Sequence, residues 1–219
     1  MDLPAALQPE SDEAALVRRA AQRDAQALRQ IMETHNRRLF RLACAIVRDP
    51  DDARDVVQET YLLAFSHLDT FRGDSTLSTW LCRIAIRQAL GLKRRQNRQI
   101  LDEDGARSLP DPDPGPEQAL AQRQVLENVE RAILALPQAY RLVVMARAVE
   151  GLSVEETALL LDIRPEAVKT RLHRARRMLV LALREQDAPR LLETFPFDGA
   201  RCHALVQAVL ARLGVNPER

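Results

Sequence analysis

The chain has 219 residues, of which 46% are hydrophobic, 29% are charged and only 4% are aromatic, and its formal net charge is +1. At about 100–200 residues per domain, this length allows one large domain or two small ones with a real hydrophobic core, which argues against wholesale disorder. The few aromatic residues and the seven glycines argue against a β-sandwich or β-barrel. The abundance of alanine and leucine instead predicts an all-α fold.

The sequence carries no signal for a membrane span, a disulfide framework or a metal site. No apolar run reaches the roughly 18 residues that a bilayer span needs, and residues 1–11 lack the apolar stretch of a signal peptide. The three cysteines cannot pair completely, and Cys202 with the adjacent His203 cannot complete a tetrahedral metal site. We therefore expect a cytoplasmic protein without disulfides, metal or cofactor, in which Cys44 and Cys82 belong to the core.

The N-terminal half is predicted to form four helices, because apolar residues recur there at helical spacing. Asp49 and Pro50 mark a helix start, since aspartate is a favoured N-cap and proline is favoured at the first helical position. A turn at residues 71–75 precedes the last helix. The helices are expected over residues 12–23, 24–47, 50 to about 67, and about 76–95.

A proline-rich linker is predicted between the two halves. Residues 97–116 read NRQILDEDGARSLPDPDPGP, with four prolines at alternate positions. Proline lacks an N–H donor and restricts the residue before it, so neither a helix nor an inner strand is expected there. The predicted organisation is therefore an N-terminal domain over residues 1–96, a linker over 97–116, a second domain over 117–185 and a C-terminal extension over 186–219.

The second half is predicted to contain a helix-turn-helix. Helices are expected at 117–136 and 138–149, and Ser153 with Glu156 fits a capping box that opens a helix ending near Leu161. About three residues later a long helix begins at Pro165 and runs to about residue 185. The apolar residues expected to hold the pair together are Ala158, Leu161, Ile163, Val168 and Leu172.

The second helix of this pair is strongly cationic. Between residues 164 and 184, seven lysines and arginines stand against Glu166 as the single acidic residue. Such a helix suits the major groove of DNA, where some side chains hold phosphates and others reach base edges. The plainer alternative is a solvated basic face on an ordinary helical hairpin. The side chains expected on the outward stripe are Lys169, Thr170, His173, Arg174 and Arg177.

Charge is also unevenly distributed in the N-terminal half. Residues 49–59 carry five carboxylates against Arg54, whereas Lys93, Arg94, Arg95 and Arg98 form a basic cluster at the end of the fourth predicted helix. An acidic face suits a basic protein partner, and a basic cluster suits nucleic acid. Trp80 and Phe71, beside the turn, are equally well explained as platforms for unpaired bases or as core residues.

Four sequence blocks carry a family resemblance. They are D-x-x-D-V-V-Q-E-T-Y-L-x-A-F over residues 52–65, F-R-G-D-S-T-L-S-T-W-L-C-R-I-A over 71–85, E-G-L-S-x-E-E-T-A over 150–158, and V-K-T-R-L-H-R-A-R over 168–176. With these blocks in order across a proline-rich linker, the chain resembles a bacterial extracytoplasmic-function (ECF) sigma factor of the sigma-70 family. The resemblance covers about residues 12–183 and implies two helical domains, a sigma-2-like bundle and a sigma-4-like helix-turn-helix.

The resemblance also implies partners and site residues. The partners would be core RNA polymerase, through the β′ clamp helices and the β flap, promoter DNA, and an anti-sigma factor that clasps both domains. Polymerase binding is carried over to Asp55, Gln58 and Glu59. Reading of the −35 element is carried over to Lys169, Thr170, Arg171, His173, Arg174 and Arg177. Capture and melting of the −10 element, with a flipped base, is carried over to Arg72, Gly73, Asp74, Ser75, Thr79, Trp80, Arg87, Arg94 and Arg95.

Two departures from the family pattern concern single residues. Arg87 stands where relatives often have asparagine, which changes the groups offered to the −10 element, and Asp162 replaces the frequent glycine of the helix-turn-helix turn. Because aspartate tolerates the left-handed conformation better than most residues, the turn is still expected to form.

The resemblance also implies a role for the linker. Its acidic run, which includes Asp111 and Asp113, would mimic nucleic acid in the polymerase channel.

Two other functions were weighed against this one. The first is a helix-turn-helix repressor or activator whose N-terminal half senses a ligand or dimerises. The second is a helical enzyme, which the sequence disfavours because it shows no converging His, Cys and Glu residues and no glycine-rich phosphate loop. The amphipathic stretch 200–213 is expected to pack on its own chain, with binding to another protein as the alternative.

Overall fold

The computed structural model describes residues 12–102, 127–183 and 199–215, and every regular element within these ranges is helical. A 3₁₀ turn, Leu68–Thr70, follows α3, and a π-helical segment, Met145–Val149, continues α6. The α-helices are α1 Asp12–Ala21, α2 Ala25–Val47, α3 Pro50–Ser66, α4 Leu77–Asp102, α5 at 127–135, α6 Gln138–Val144, α7 Val154–Leu161, α8 Pro165–Ala182 and α9 Gly199–Arg212.

Side-chain caps fix where α3 and α7 begin, as the sequence predicted. The Asp49 carboxylate accepts the backbone N–H groups of Asp51 and Asp52 at 2.8 and 2.9 Å. At α7, the Glu156 N–H donates to Ser153 Oγ at 3.0 Å while the Ser153 N–H donates to the Glu156 carboxylate at 2.6 Å. These bonds satisfy N–H groups that the first helical turn leaves without partners, and the predicted capping box is confirmed.

The N-terminal bundle is built around α2. Helices α3 and α4 pack against α2 and against each other. The predicted apolar positions lie in this core: Leu28, Ile31, Leu42, Tyr61 and Leu81 are each 1% exposed or less. Since α2 is buried by neighbours on several sides, even Asn36 and Arg41 within it are buried.

The helix-turn-helix has the predicted core. Val143, Ala158 and Val168 form a buried cluster, and Leu161, Ile163 and Leu172 pack against it from partly buried positions. Asp162 has a φ of +53°, in the left-handed region, so the turn forms with aspartate in the strained position usually given to glycine.

Helix α4 runs to Asp102, whereas the sequence predicted an end near Arg95 and a linker from residue 97. The greater length of α4 is consistent with the sequence, because the first proline after the start of the predicted linker is Pro110. The rest of the predicted linker, residues 103–116, and the expected helical residues 117–126 lie outside the described residues.

The two halves pack together, which the sequence did not predict. Helix α6 and the π-helical segment contact α2, and α7 contacts α4. Arg141 of α6 is fully buried and donates to the carbonyl oxygens of Ala45 in α2 and Leu136, the latter at 2.8 Å. The described residues of both halves therefore share one continuous apolar core.

Helix α9 packs on the N-terminal bundle. It contacts α2 and α3, and the predicted apolar residues face inward: Leu205, Val206, Val209 and Leu210 are at most 6% exposed. The expectation that this segment packs on its own chain is confirmed.

Candidate functional site

The cationic stripe of α8 lies on the protein surface. Val168, Ala175 and Leu179 hold the opposite face of α8 in the core. The Thr170 hydroxyl donates to the Glu166 carbonyl at 2.9 Å, so its oxygen can still accept a hydrogen bond. Of the predicted −35 residues, Arg171 is half-buried, and Lys169, Thr170, His173, Arg174 and Arg177 are exposed.

The turn before α8 sets how this stripe is presented. The Ile163 N–H donates to the Ala158 carbonyl at 3.1 Å, which ties the turn to the end of α7. Helix α8 then begins with Pro165 at its first position. Helix α7 packs on both α8 and α4. The helix that bears the cationic stripe is therefore held in a fixed position, which suits insertion into a DNA groove.

The loop before α4 presents three of the predicted −10 residues to solvent. Arg72, Gly73 and Asp74 are exposed, and Ser75 is half-buried. Gly73 has a φ of +77°, and no atom lies within 4 Å of where a Cβ would be. The glycine is therefore required by backbone conformation and not by crowding.

Two predicted −10 residues are tied into the bundle. Trp80 is partly buried against the core, and its ring lies 5.4 Å from that of Phe71 at an interplanar angle of 54°. Thr79 is 6% exposed, and its Oγ1 lies 3.0 Å from Thr76 Oγ1. Thr79 thus braces the start of α4 from inside and does not share the exposed surface of Arg72 and Asp74.

Exposed arginines continue along α4. Arg87, Arg94 and Arg95 are all exposed, and the helical repeat places Arg87 and Arg94 on the side that also carries Trp80. Arg83, on the same side of α4, was not among the predicted site residues. Its guanidinium donates twice to the Leu159 carbonyl of α7, at 2.7 and 3.2 Å. The only available signal was its position one turn before Arg87.

Lys93 of the basic cluster faces the second half of the chain. Its Nζ donates to Gln138 Oε1 at 3.1 Å. Burial lowers the pKa of Lys93, and the nearby guanidinium groups of Arg141 and Arg48 lower it further. Unlike Arg94 and Arg95, Lys93 therefore contributes to packing between the halves.

The acidic face of α3 is exposed beside α9. Asp55 and Glu59 are exposed and Gln58 is half-buried, while Leu63, one turn beyond Glu59, is 39% exposed. Glu59 pairs with Arg212 of α9 at 2.6 Å. The sequence predicted the acidic residues but not this ion pair, because nothing local connects positions 59 and 212.

The cysteines have the environment of packing residues. Cys44 and Cys82 are buried, and burial raises the pKa of the Cys82 thiol to about 12. Among the described residues, no group of three or more His, Cys, Asp and Glu side chains is placed to hold a metal ion. No helix within the described ranges combines the length and apolar character that crossing a bilayer requires.

Two family models match the segments that carry these surfaces. The model for sigma-70 region 2 matches residues 31–99, which include α3, the loop before α4 and most of α4. The model for sigma-70 region 4 matches residues 126–179, which include the helix-turn-helix. Neither match reaches α9.

Curated relatives and solved structures agree with the family models. RNA polymerase sigma factor NccH of Alcaligenes xylosoxydans xylosoxydans is 34% identical over 185 residues, 82% of this chain and 98% of the relative. The ECF RNA polymerase sigma-E factor of Salmonella typhimurium is 32% identical over 74% of this chain and 88% of its own length. CnrH, solved in complex with the cytosolic domain of CnrY, is 27% identical with a TM-score of 0.59, over 77% of this chain and 95% of that one. The chain therefore belongs to the ECF sigma factors of the sigma-70 family.

Proposed function

We propose that this sigma factor binds core RNA polymerase and directs it to promoters by reading the −35 element with α8 and the −10 element with the 71–76 loop and α4. The observation that carries the proposal is that two separate cationic surfaces are both exposed, one in each family-matched segment. A protein that read a single duplex site would need only the first of them.

The α8 surface fits duplex recognition. Arg174 and Arg177 are exposed and three positions apart, so they lie on neighbouring parts of one helix face. Arginine recognises guanine through its O6 and N7 acceptors and also holds phosphate. We assign −35 reading to this pair together with Lys169, Thr170, Arg171 and His173.

The 71–76 loop and α4 fit a melted strand. Exposed Arg72 and Asp74 flank Gly73, and the Trp80 ring lies 5.4 Å from that of Phe71, the residue before Arg72. A flipped base gives up stacking worth a few kcal/mol, so hydrogen-bonding groups and phosphate contacts must offset that loss. Arg87, Arg94 and Arg95 supply the positive charge that follows the strand backbone along α4.

The acidic face of α3 fits a protein partner. Asp55 and Glu59 are exposed carboxylates with Leu63 beside them, and such a mixed face suits a basic helical surface such as the β′ clamp helices. We assign polymerase binding to Asp55, Gln58 and Glu59. In this scheme the chain recognises promoter DNA and positions the polymerase on it, and the polymerase catalyses RNA synthesis. An anti-sigma protein that covers these surfaces fits the same scheme.

Run-off transcription with purified core polymerase on fragments of the native genome tests this function. We expect discrete transcripts that require the chain, whose start sites share two boxes upstream. If no fragment were transcribed while the chain bound duplex sites by itself, the protein would be a helix-turn-helix repressor or activator instead.

A further inference from the structure

Helix α9 covers one flank of the surface to which polymerase binding is assigned. It lies outside both family-matched segments, yet it packs on α2 and α3 of the N-terminal bundle. Its contact with α3 reaches Glu59, one of the assigned polymerase contacts. The chain thus supplies a helix of its own at a face that, on the proposed function, a second protein must occupy.

The fit between α9 and the bundle is specific at both ends of the helix. Near its start, the Asn36 side-chain amide of α2 donates to Cys202 Sγ at 3.0 Å. Near its end, the Arg23 guanidinium donates to the Leu213 carbonyl at 2.7 Å. Polar contacts at two ends fix the register of α9 as well as its position.

The middle of α9 is held by apolar packing. Val206, Val209 and Leu210 are fully buried, and Leu205 is nearly so. The Arg212–Glu59 pair at the edge is about half exposed on both sides, and exposed pairs of this kind contribute little to stability. The apolar residues therefore hold α9 in place, and the ion pair neutralises the carboxylate that faces the partner.

We propose that α9 and core polymerase compete for the α3 face, so that polymerase docks fully only after α9 has moved off the bundle. The proposal depends on the assignment of polymerase binding to α3. Arg212 and the apolar residues of α9 offer a cation beside an apolar helix face, which is the chemistry expected of a helical partner for Glu59 and Leu63. The exposed carboxylate of Asp55 remains available for a first, partial encounter.

A reversible crosslink tests the competition in the full-length chain. In the N36C variant, the introduced thiol lies next to Cys202, since the native side-chain atoms are 3.0 Å apart. A mild oxidant such as diamide should join the two sulfurs and pin α9 to α2, and dithiothreitol should release it. The N36C/C202S double variant, treated identically, is the control because it cannot form this bond, and mass spectrometry of peptides verifies the bond.

We expect the oxidised N36C protein to lose more than about tenfold in affinity for core polymerase and to regain it on reduction. If the verified crosslinked form bound core as tightly as the reduced form, α9 would not compete and this proposal would be overturned. If neither form nor the unmodified protein bound core, the proposed function itself would fail, which is a different result.

A matched pair of α9 variants tests the same competition without a crosslink. Leu210→Glu places a charge on the buried face of α9 and should release it, whereas Ala211→Glu places the same charge on the exposed face next to it. If α9 occupies the face about nine-tenths of the time, its release raises affinity for core about tenfold. Equal affinities of the two folded variants would contradict the competition.

Discussion

Arginine has two different roles in this chain, and which role a given arginine has depends on whether its side chain is exposed or buried. Arg174 and Arg177 are exposed on α8, whereas Arg141 is fully buried and bonded to backbone carbonyls. Burial, with the charge of Arg48 nearby, lowers the pKa of Arg141 to about 10, so it is still charged at neutral pH. The sequence predicted the surface arginines from their clustering. The burial of Arg141 could not be predicted, because the sequence around a single arginine in an apolar helix does not indicate which distant carbonyl groups will accept its hydrogen bonds.

At the DNA-facing residues we predict a selective loss from Arg174→Ala. The variant should lose about 1–3 kcal/mol of binding at the −35 element, because a side chain that reaches base edges is removed. Promoter binding by the polymerase complex, measured with intact and altered −35 boxes, checks this. Arg131→Ala is the control, since Arg131 is exposed in α5, away from the helix-turn-helix. If the variant preferred the intact −35 box over the altered one as strongly as the natural protein does, the assignment of Arg174 to the −35 element would be contradicted.

His35 predicts how the stability of the fold responds to pH. Burial, and secondarily the charge of Arg38, lowers the pKa of His35 from 6.5 to about 4. The unfolded chain takes up a proton near pH 6.5 and the folded chain does not, so stability is complete above pH 6.5 and falls as the pH drops towards about 4.

Urea unfolding at pH 7.5 and pH 5 measures this dependence. The His35→Gln variant should lose less of its free energy of unfolding between these two pH values than the natural protein does. Identical losses in both proteins would show that His35 does not set the pH response in this window.

At the scale of elements, local chemistry predicted helix starts well and one helix end poorly. Asp49 and Ser153 cap α3 and α7 as expected, because an N-cap depends on a side chain and the two or three residues after it. The predicted end of α4 near Arg95 is too early, because residues 97–102 contain no proline or glycine that would end the helix after the basic cluster. The amphipathic pattern of α9 predicted its buried face, but it could not specify which helices would receive it.

The capping box gives a prediction at the element scale. Ser153→Ala should lower the free energy of unfolding by about 1 kcal/mol, because the Glu156 N–H loses its acceptor. Urea unfolding measures the change. Ser66→Ala is the control, since that exposed hydroxyl contacts the Leu63 carbonyl and His67 Nδ1 at the end of α3 and does not cap a helix start. An equal effect in both variants would argue against a special role for the cap.

At the scale of the whole molecule, the two halves are closed on each other. Glu150 of the second half is 8% exposed and lies between Arg38 and Arg41 of α2, at 3.0 and 3.4 Å. This Glu150 cluster, with Arg141, joins the two halves. The sequence predicted two domains and a linker but not the contact between them, because periodicity within each half contains no information about contacts between distant segments.

If the two halves read the two boxes as proposed, promoter binding requires this closed arrangement to open. The two boxes are about 25 base pairs apart, or about 85 Å at 3.4 Å per base pair, whereas a compact chain of this length has a radius of gyration of about 17 Å.

Glu150→Ala tests the closure. Removing the carboxylate that Arg38 and Arg41 share takes away charged hydrogen bonds between the halves, which should weaken their contact by about 1.5–3 kcal/mol. We expect a larger radius of gyration by small-angle X-ray scattering, with helix content preserved. Glu155→Ala, an exposed neighbour in α7, should leave the radius unchanged. A Glu150→Ala protein as compact as the natural one would show that other contacts hold the halves closed.

The most direct test of the central claim, that two surfaces of one chain read two promoter boxes, is transcription from a library randomised at both boxes. Core polymerase with the natural chain should select one −35 and one −10 sequence. Arg174→Ala should relax selection at the −35 box alone, and Arg72→Ala should relax it at the −10 box alone. If either variant relaxed selection equally at both boxes, or relaxed it at neither, the assignment of one box to each half would be contradicted.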